Sequence, residues 1–354
     1  MKNMNKNITK ILMFWSLLLL AGQISAQEKQ IQELLKPWLD PSFKKASGTD
    51  SNVNGLVVTL TPQIQAAVPE KLSVKPAKKR QVLVLTANTL GALHAPGAAG
   101  LIVMLREAQK KFGDAFEFTE VFSEKGLDAA TLAKYDAVVL ASISQLQGGK
   151  GAEFYNQVLP EYVKNGGGVL AIHGTALLFR KEPNAEFNKM LGGFTTENPV
   201  HPSPGHGSAF PIKIDEPNNP LTAAFCGPKQ EVDTQGQWLK GSQRLMMKMK
   251  YTAPKQLADE LYTFNPASNA DGTTRTLVSI DHVKTAGAKG FPTYAPETPE
   301  FGYSLVWIKS YGKGRVWYSQ FGHNFCVFSV HCVAQSTLDG LLYVTGDLAI
   351  PEKK

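Results

Sequence analysis

Cysteine is scarce in this chain: Cys226, Cys326 and Cys332 are the only three in 354 residues. The count is odd and no pair stands at metal-motif spacing, so neither a disulfide framework nor a thiolate metal site is implied. A Cys326–Cys332 bridge and buried free thiols are the two readings left. Phosphate-binding loops are missing too. "LQGGKG" at 146–151 lacks the spacing and the Ser/Thr of a P-loop, so no nucleotide cofactor is expected. No Ser or Cys occupies a G-x-S-x-G elbow. No basic run is interleaved with aromatics, which argues against nucleic acid as a partner. The formal charge of +7 includes Lys2, Lys6 and Lys10 and falls to a mild +4 without them. Internal repeats and low-complexity tracts are absent. The apolar run "ILMFWSLLLLAG" is shorter than the ~20 residues that a spanning helix needs.

That run has a different meaning. Three lysines precede it and "ISA" closes it at Ala26, the pattern of a cleaved secretory signal peptide over residues 1–26. No Cys lies near the cleavage point, so a lipid anchor is not supported. The expected mature chain is exported, periplasmic or extracellular, with no stable membrane anchor.

Residues 27–79 read as an N-terminal extension and linker. It contains one short amphipathic helix in "EKQIQELLKPWL", a short strand in "NGLVVTLTP" and the linker "VKPAKKR". From Gln81 the pattern changes. "QVLVLTA", "FEFTEVF", "DAVVLASIS" and "GVLAIHG" are strand-like apolar runs, alternating with the helical stretches "GLIVMLREAQKKFG", "LDAATLAKY" and "GAEFYNQVLPEYVKNGGG". Such alternation predicts a doubly wound, flavodoxin-like, mostly parallel sheet with helices on both faces over residues 80–348. Ligands of such sheets sit beyond the carboxyl ends of the strands. The second half carries Pro-rich loops from Pro183 to Pro228, then strands in "AFPIKI", "LADELYTF" and "TRTLVSID". A hairpin "YSLVWIKS-YGKG-RVWYSQ" follows, with positive φ expected at Gly312 and Gly314, and a last helix over about 330–344.

Histidine beside glycine recurs in "IHG" (His173), "GHG" (His206) and "GHN" (His323). Glycine there permits tight strand exits and close approach of a ligand. His173 and His323 both end strands, where a ligand is expected. His94 follows the first strand at the same edge, and His201 shares a loop with His206. His282 and His331 read as structural. Asp259 and Glu260 form an acidic pair entering a strand, whose neighbours point to opposite faces; Glu260 is favoured for the cleft, as a base or as part of a metal site. Arg315 is a candidate for holding a substrate oxygen. Trp307, Trp317 and Tyr318 offer either a sugar-stacking face or core.

"GGGVLAIHG", "LGGFTTENPVHP", "NNPLTAAF", "DELYTF" and above all "WIKSYGKGRVWYSQFGH" resemble the trehalose-utilisation, ThuA-like family, over roughly Gln81 to Asp347. The resemblance implies a class I glutamine-amidotransferase-like fold and a role in carbohydrate catabolism, on sugars or oxidised keto-sugar glycosides. It carries His173, Glu260 and His323 as catalytic residues. His94, His201, His206 and Arg315 are the substrate-binding candidates, and His173, His206, Glu260 and His323 the candidates for a divalent metal. A His-Pro common in the family reads Asn219-Pro220 here. Amidotransferases carry a nucleophilic Cys at the turn that here holds His173-Gly174, and imidazole cannot form the required thioester, so that activity is rejected. The expectation is an enzyme of isomerase, lyase or hydrolase type. A non-catalytic sugar-binding protein is the alternative. Asp136 and Asp281 are weak candidates for the second carboxylate of an ordinary glycosidase.

Overall fold

The computed structural model describes residues 61–87, 94–144, 151–196, 209–233, 250–269, 271–285 and 300–352. The expected leader, the helix expected in "EKQIQELLKPWL" and the loop holding His201 and His206 lie outside the described residues. So does "NGLVVTLTP" up to residue 60; residues 61–67 are helical, and Ile64, Ala67 and Val68 are buried in the core. The expected linker is tied down, with Arg80 bonded to Asp347 and Asp136 and the Ala77 N–H donated to Asp347.

The strands are β1 (Arg80–Leu85), β2 (Phe116–Val121), β3 (Ala137–Leu140), β4 (Gly168–Ile172), β5 (Phe210–Ile214), β6 (Gln230–Asp233), β7 (Lys250–Ala253), β8 (Gln256–Leu257), β9 (Arg275–Ile280), β10 (Ser304–Tyr311) and β11 (Gly314–Ser319). Among the described residues, nine form one sheet in the order β2-β1-β3-β4-β11-β10-β9-β5-β8, and β6 pairs with β7. The first five are mutually parallel, in the flavodoxin-like order expected. From β10 onward the pairs are antiparallel.

The continuous apolar runs are explained by burial on both faces. Val82 and Val84 face one core and Leu83 and Leu85 the other; Leu170 and Ile172 oppose Val169 and Ala171 in the same way. Helices α1 (Ala95–Lys111) and α4 (His331–Val344) cover the first face. Helices α2 (Leu159–Lys164) and α3 (Glu186–Leu191) cover the second. The long helix expected across 151–168 is wound in two manners. Phe154–Val158 is a π turn, closed by Leu159 N–H to Phe154 O, directly before Pro160, which lacks the N–H for an ordinary turn. Among the described residues no helix is long and apolar enough to cross a membrane.

The hairpin forms as expected, with one correction. Gly312 has φ +60° and opens a two-residue loop between the Tyr311–Gly314 pair. Gly314 is not left-handed; its bareness is steric, since a Cβ would lie 2.2 Å from the carbonyl oxygen of Val163. All three cysteines are free, so no Cys326–Cys332 bridge forms. Cys226 is exposed rather than buried, whereas burial pushes the thiols of Cys326 and Cys332 up to about 12.

Candidate functional site

β1, β3, β4 and β11 end at one edge of the sheet, and the chain leaves that edge through residues rich in histidine. His94 is the N-cap residue of α1, after β1. His173 directly follows β4, and His323 follows β11 by a few residues. Two backbone features place the last two. His173 adopts φ +45°, a left-handed conformation costly for a side-chain-bearing residue, at the start of a 3-10 turn. Gly322 has φ +152°, and a Cβ on it would lie 2.2 Å from Ile172 Cγ2. Only glycine lets the turn that carries His323 press against the end of β4.

The fourth contributor is the segment Asp259–Tyr262. It is not the strand expected of "LADELYTF": the ladder stops at Leu257, and a single bridge, Thr195–Phe264, follows. Side chains and isolated bonds take the place of a ladder. Gln320 Oε1 accepts the Tyr262 N–H, and Thr263 O accepts the Thr196 N–H at 2.9 Å. Asp259 is buried and accepts from the N–H groups of Gly322 (2.7 Å) and His323 (3.1 Å) and from Asn324 Nδ2 (2.6 Å).

Glu260 Oε2 sits among the imidazoles, 3.0 Å from His173 Nε2, 3.1 Å from His323 Nδ1 and 3.5 Å from His94 Nε2. One ligand atom from each of these four buried residues lies within 4.8 Å of all the others. The rings of His94, His173 and His323 meet edge to face, with centroids 5.1–5.2 Å apart. Gly174 leaves room for this, because a Cβ there would lie 3.3 Å from His94 Nδ1 and 2.9 Å from Ser144 Cβ.

Outer partners fix how the imidazoles present themselves. His173 Nδ1 donates to the Gln320 carbonyl oxygen at 2.7 Å, so its Nε2 points inward as a lone pair. His94 Nδ1 pairs with Ser144 Oγ at 2.7 Å, again leaving Nε2 inward. Burial drives His173 down to about 3 against the opposing pull of Glu260, keeping it neutral. Burial also disfavours charge on His323, but Glu260 and Asp259 outweigh it and raise that imidazole. Asp259 is pushed up to about 6 by burial, against His323 and its N–H donors.

This donor set fits a metal ion. A cation between them would stabilise a neutral imidazole lone pair that faces a carboxylate oxygen at 3.0 Å. His323 Nδ1 is buried and lies 3.1 Å from the same carboxylate oxygen. Inward ring nitrogens whose opposite ring nitrogens are held by a carbonyl and a hydroxyl form the arrangement that orients metal-ligating histidines. Three imidazoles and a carboxylate suit zinc, manganese or iron.

The family model for ThuA, trehalose utilisation, matches residues 81–344. The chain belongs to the ThuA family. Among solved structures, a ThuA-like protein from Bacteroides uniformis shares the fold at 16% identity and TM-score 0.51, covering 77% of this chain and 95% of the other. A ThuA-like protein from Parabacteroides merdae matches at 16% identity and TM-score 0.40, over 78% of this chain and 93% of its own. A β-galactosidase from Rahnella sp. R3 aligns at 12% identity and TM-score 0.41, over 75% of this chain and 32% of that one. No curated protein matches the sequence.

Within this ThuA-family chain, His173, Glu260 and His323 converge as a group, and His94 joins them as a fourth ligand-type side chain. Tyr262, unremarked in the sequence, is fully buried against them. It stacks on His173 with centroids 4.5 Å apart, its hydroxyl 2.8 Å from His173 Nε2 and 2.9 Å from His94 Nε2. Its spacing from Glu260 was the available signal, since residues two apart on an extended segment share a face. Arg315 is elsewhere: it pairs in register with Gly168, the first residue of β4, and its guanidinium lies over the Tyr343 ring. That is the amino edge of the sheet, opposite the histidines. Asp136 is held by Lys78 and Arg80, and Asp281 by Lys284, so neither faces Glu260. His282 stacks on Tyr303, and His331 Nδ1 pairs with Ala67 O at 3.0 Å. Trp307, Trp317 and Tyr318 are wholly buried. They are core.

Proposed function

We propose that this ThuA-family chain is a carbohydrate-processing enzyme that acts on keto-sugars or their glycosides, with the histidine–glutamate cluster as a divalent-metal centre. The observation that carries the reading is the convergence of three imidazole nitrogens and one carboxylate oxygen, all buried, at the carboxyl edge of a parallel sheet. His94, His173 and His323 would hold the ion, with Glu260 beside it. A bound divalent cation supplies Lewis acidity to a sugar carbonyl oxygen as negative charge develops there.

The chain's own residues supply the proton handling. A ring ketone acidifies the neighbouring C–H, and isomerisation, epimerisation or loss of an aglycone each begin by removing that proton. His173 has its Nδ1–H committed to Gln320 O, so its tautomer is fixed. Glu260 would face the ion through Oε2 and take the proton on its other carboxylate oxygen. An ordinary two-carboxylate glycosidase is disfavoured, because no second acid faces Glu260 among the described residues.

The test follows solvent deuterium by NMR into the carbon beside the ketone of a keto-glycoside. Exchange or elimination by the native protein, abolished in Glu260→Gln, is the expected result. Hydrolysis of unoxidised glycosides at equal efficiency, with no exchange in any keto-glycoside, would overturn the proposal. Export rests on the leader pattern over residues 1–26. Amino-terminal sequencing of the protein recovered outside the cytoplasm, starting at Gln27, is its test.

A further inference from the structure

Tyr262 stands closer to two of the histidine nitrogens than any of those nitrogens stands to Glu260. Its Oη lies 2.8 Å from His173 Nε2 and 2.9 Å from His94 Nε2, and Glu260 is a further hydrogen-bond partner. A phenol has one hydrogen to give. That hydrogen serves one neighbour and the oxygen can accept from another, and the placing of the phenol on the two nitrogens that also face Glu260 calls for an explanation.

The spacing supplies one. Metal–nitrogen bonds of about 2.0–2.1 Å set donors at right angles about 2.9 Å apart, and tetrahedral donors about 3.4 Å apart. The two Tyr262 distances match the right-angled case. The ring cannot swing away, because it is 1% exposed, stacked on His173 and held through its backbone N–H by Gln320 Oε1. Tyr318, the other buried tyrosine here, is not a competitor, since its hydroxyl donates to the His173 carbonyl oxygen at 2.8 Å.

We propose that Tyr262 Oη is a fifth ligand of the centre, making a three-histidine, glutamate and tyrosine site for a five- or six-coordinate ion. The inference rests on the cluster being a metal centre. Two anionic oxygens and three imidazoles suit iron or manganese better than the closed tetrahedral set of structural zinc. Binding displaces the phenolic proton to solvent, as ligand deprotonation requires.

The experiment strips the full-length protein with a chelator, reloads it with one equivalent of ferric ion, and measures bound iron and visible absorption together. The native protein is expected to show a phenolate-to-iron charge-transfer band that disappears in Tyr262→Phe while bound iron stays stoichiometric. Stoichiometric iron without that band in the native protein overturns the inference and leaves the metal centre standing. Failure to retain iron or cobalt removes the metal centre and the inference with it. If Tyr262→Phe does not fold, the native cobalt(II) spectrum decides. Weak bands of a five- or six-coordinate ion support the fifth ligand, and intense tetrahedral bands overturn it.

Discussion

Asp259 and Glu260 are neighbours in the chain and grip His323 from two sides. Glu260 Oε2 lies 3.1 Å from the imidazole Nδ1, while Asp259 Oδ2 accepts the backbone N–H groups of Gly322 and His323. One dipeptide thus sets both the position of the turn and the charge that the imidazole meets.

Asp259→Asn removes that grip without emptying the site. An amide offers one accepting oxygen and points its NH2 at donors that need acceptors. Losing an outer-shell partner of this kind lowers metal affinity roughly 10–100-fold. Chelator competition should show that loss in a variant that still folds; unchanged affinity would mean that Asp259 does not position His323.

Trp307 should matter for stability and not for substrate. It stacks on Tyr318 with centroids 3.8 Å apart, and its indole N–H donates to Leu191 O at 2.9 Å. Trp307→Phe leaves a void and an unpaired carbonyl, costing about 2 kcal/mol. A lower denaturant midpoint with unchanged KM is expected; a raised KM at unchanged stability would return Trp307 to a sugar-stacking role.

Asp339, buried within α4, carries the clearest pH signature away from the site. Burial pushes its carboxyl up to about 6, and hydrogen bonds from Ser73 and Gln335 offset only part of this. The folded chain therefore keeps a proton that the unfolded chain, with an ordinary Asp near 4, has released. Its contribution is full below about pH 4 and is lost as pH rises through about 6, a swing of about 3 kcal/mol. Asp339→Asn should match the native protein near pH 4 and exceed its stability above about pH 6.5 in urea titrations. A constant difference across that range would contradict the assignment.

The parallel half of the fold was legible because strands buried on both faces must be apolar throughout, as "AVVL" and "GVLAI" are. His173, Glu260 and His323 were legible because strand ends and alternation are local properties. Tyr262 was within reach of the same alternation but hidden by its resemblance to core. His94 was placed at the right edge, but its inward nitrogen depends on Ser144, fifty residues away. Arg315 was misread because its strand's direction is set by pairing with β4, which the hairpin sequence does not encode. The segment 258–263 misled because its β-rich composition is satisfied by Gln320 and by isolated bonds rather than by a ladder.

The most direct test of the account is the metal content, by mass spectrometry, of protein purified without a histidine tag. The account predicts about one transition-metal ion per chain in the native protein, lost in His173→Ala and in His323→Ala, both still folded by circular dichroism. Metal-free native protein that stays metal-free when offered zinc, manganese and iron would contradict it. So would an ion that survives both substitutions.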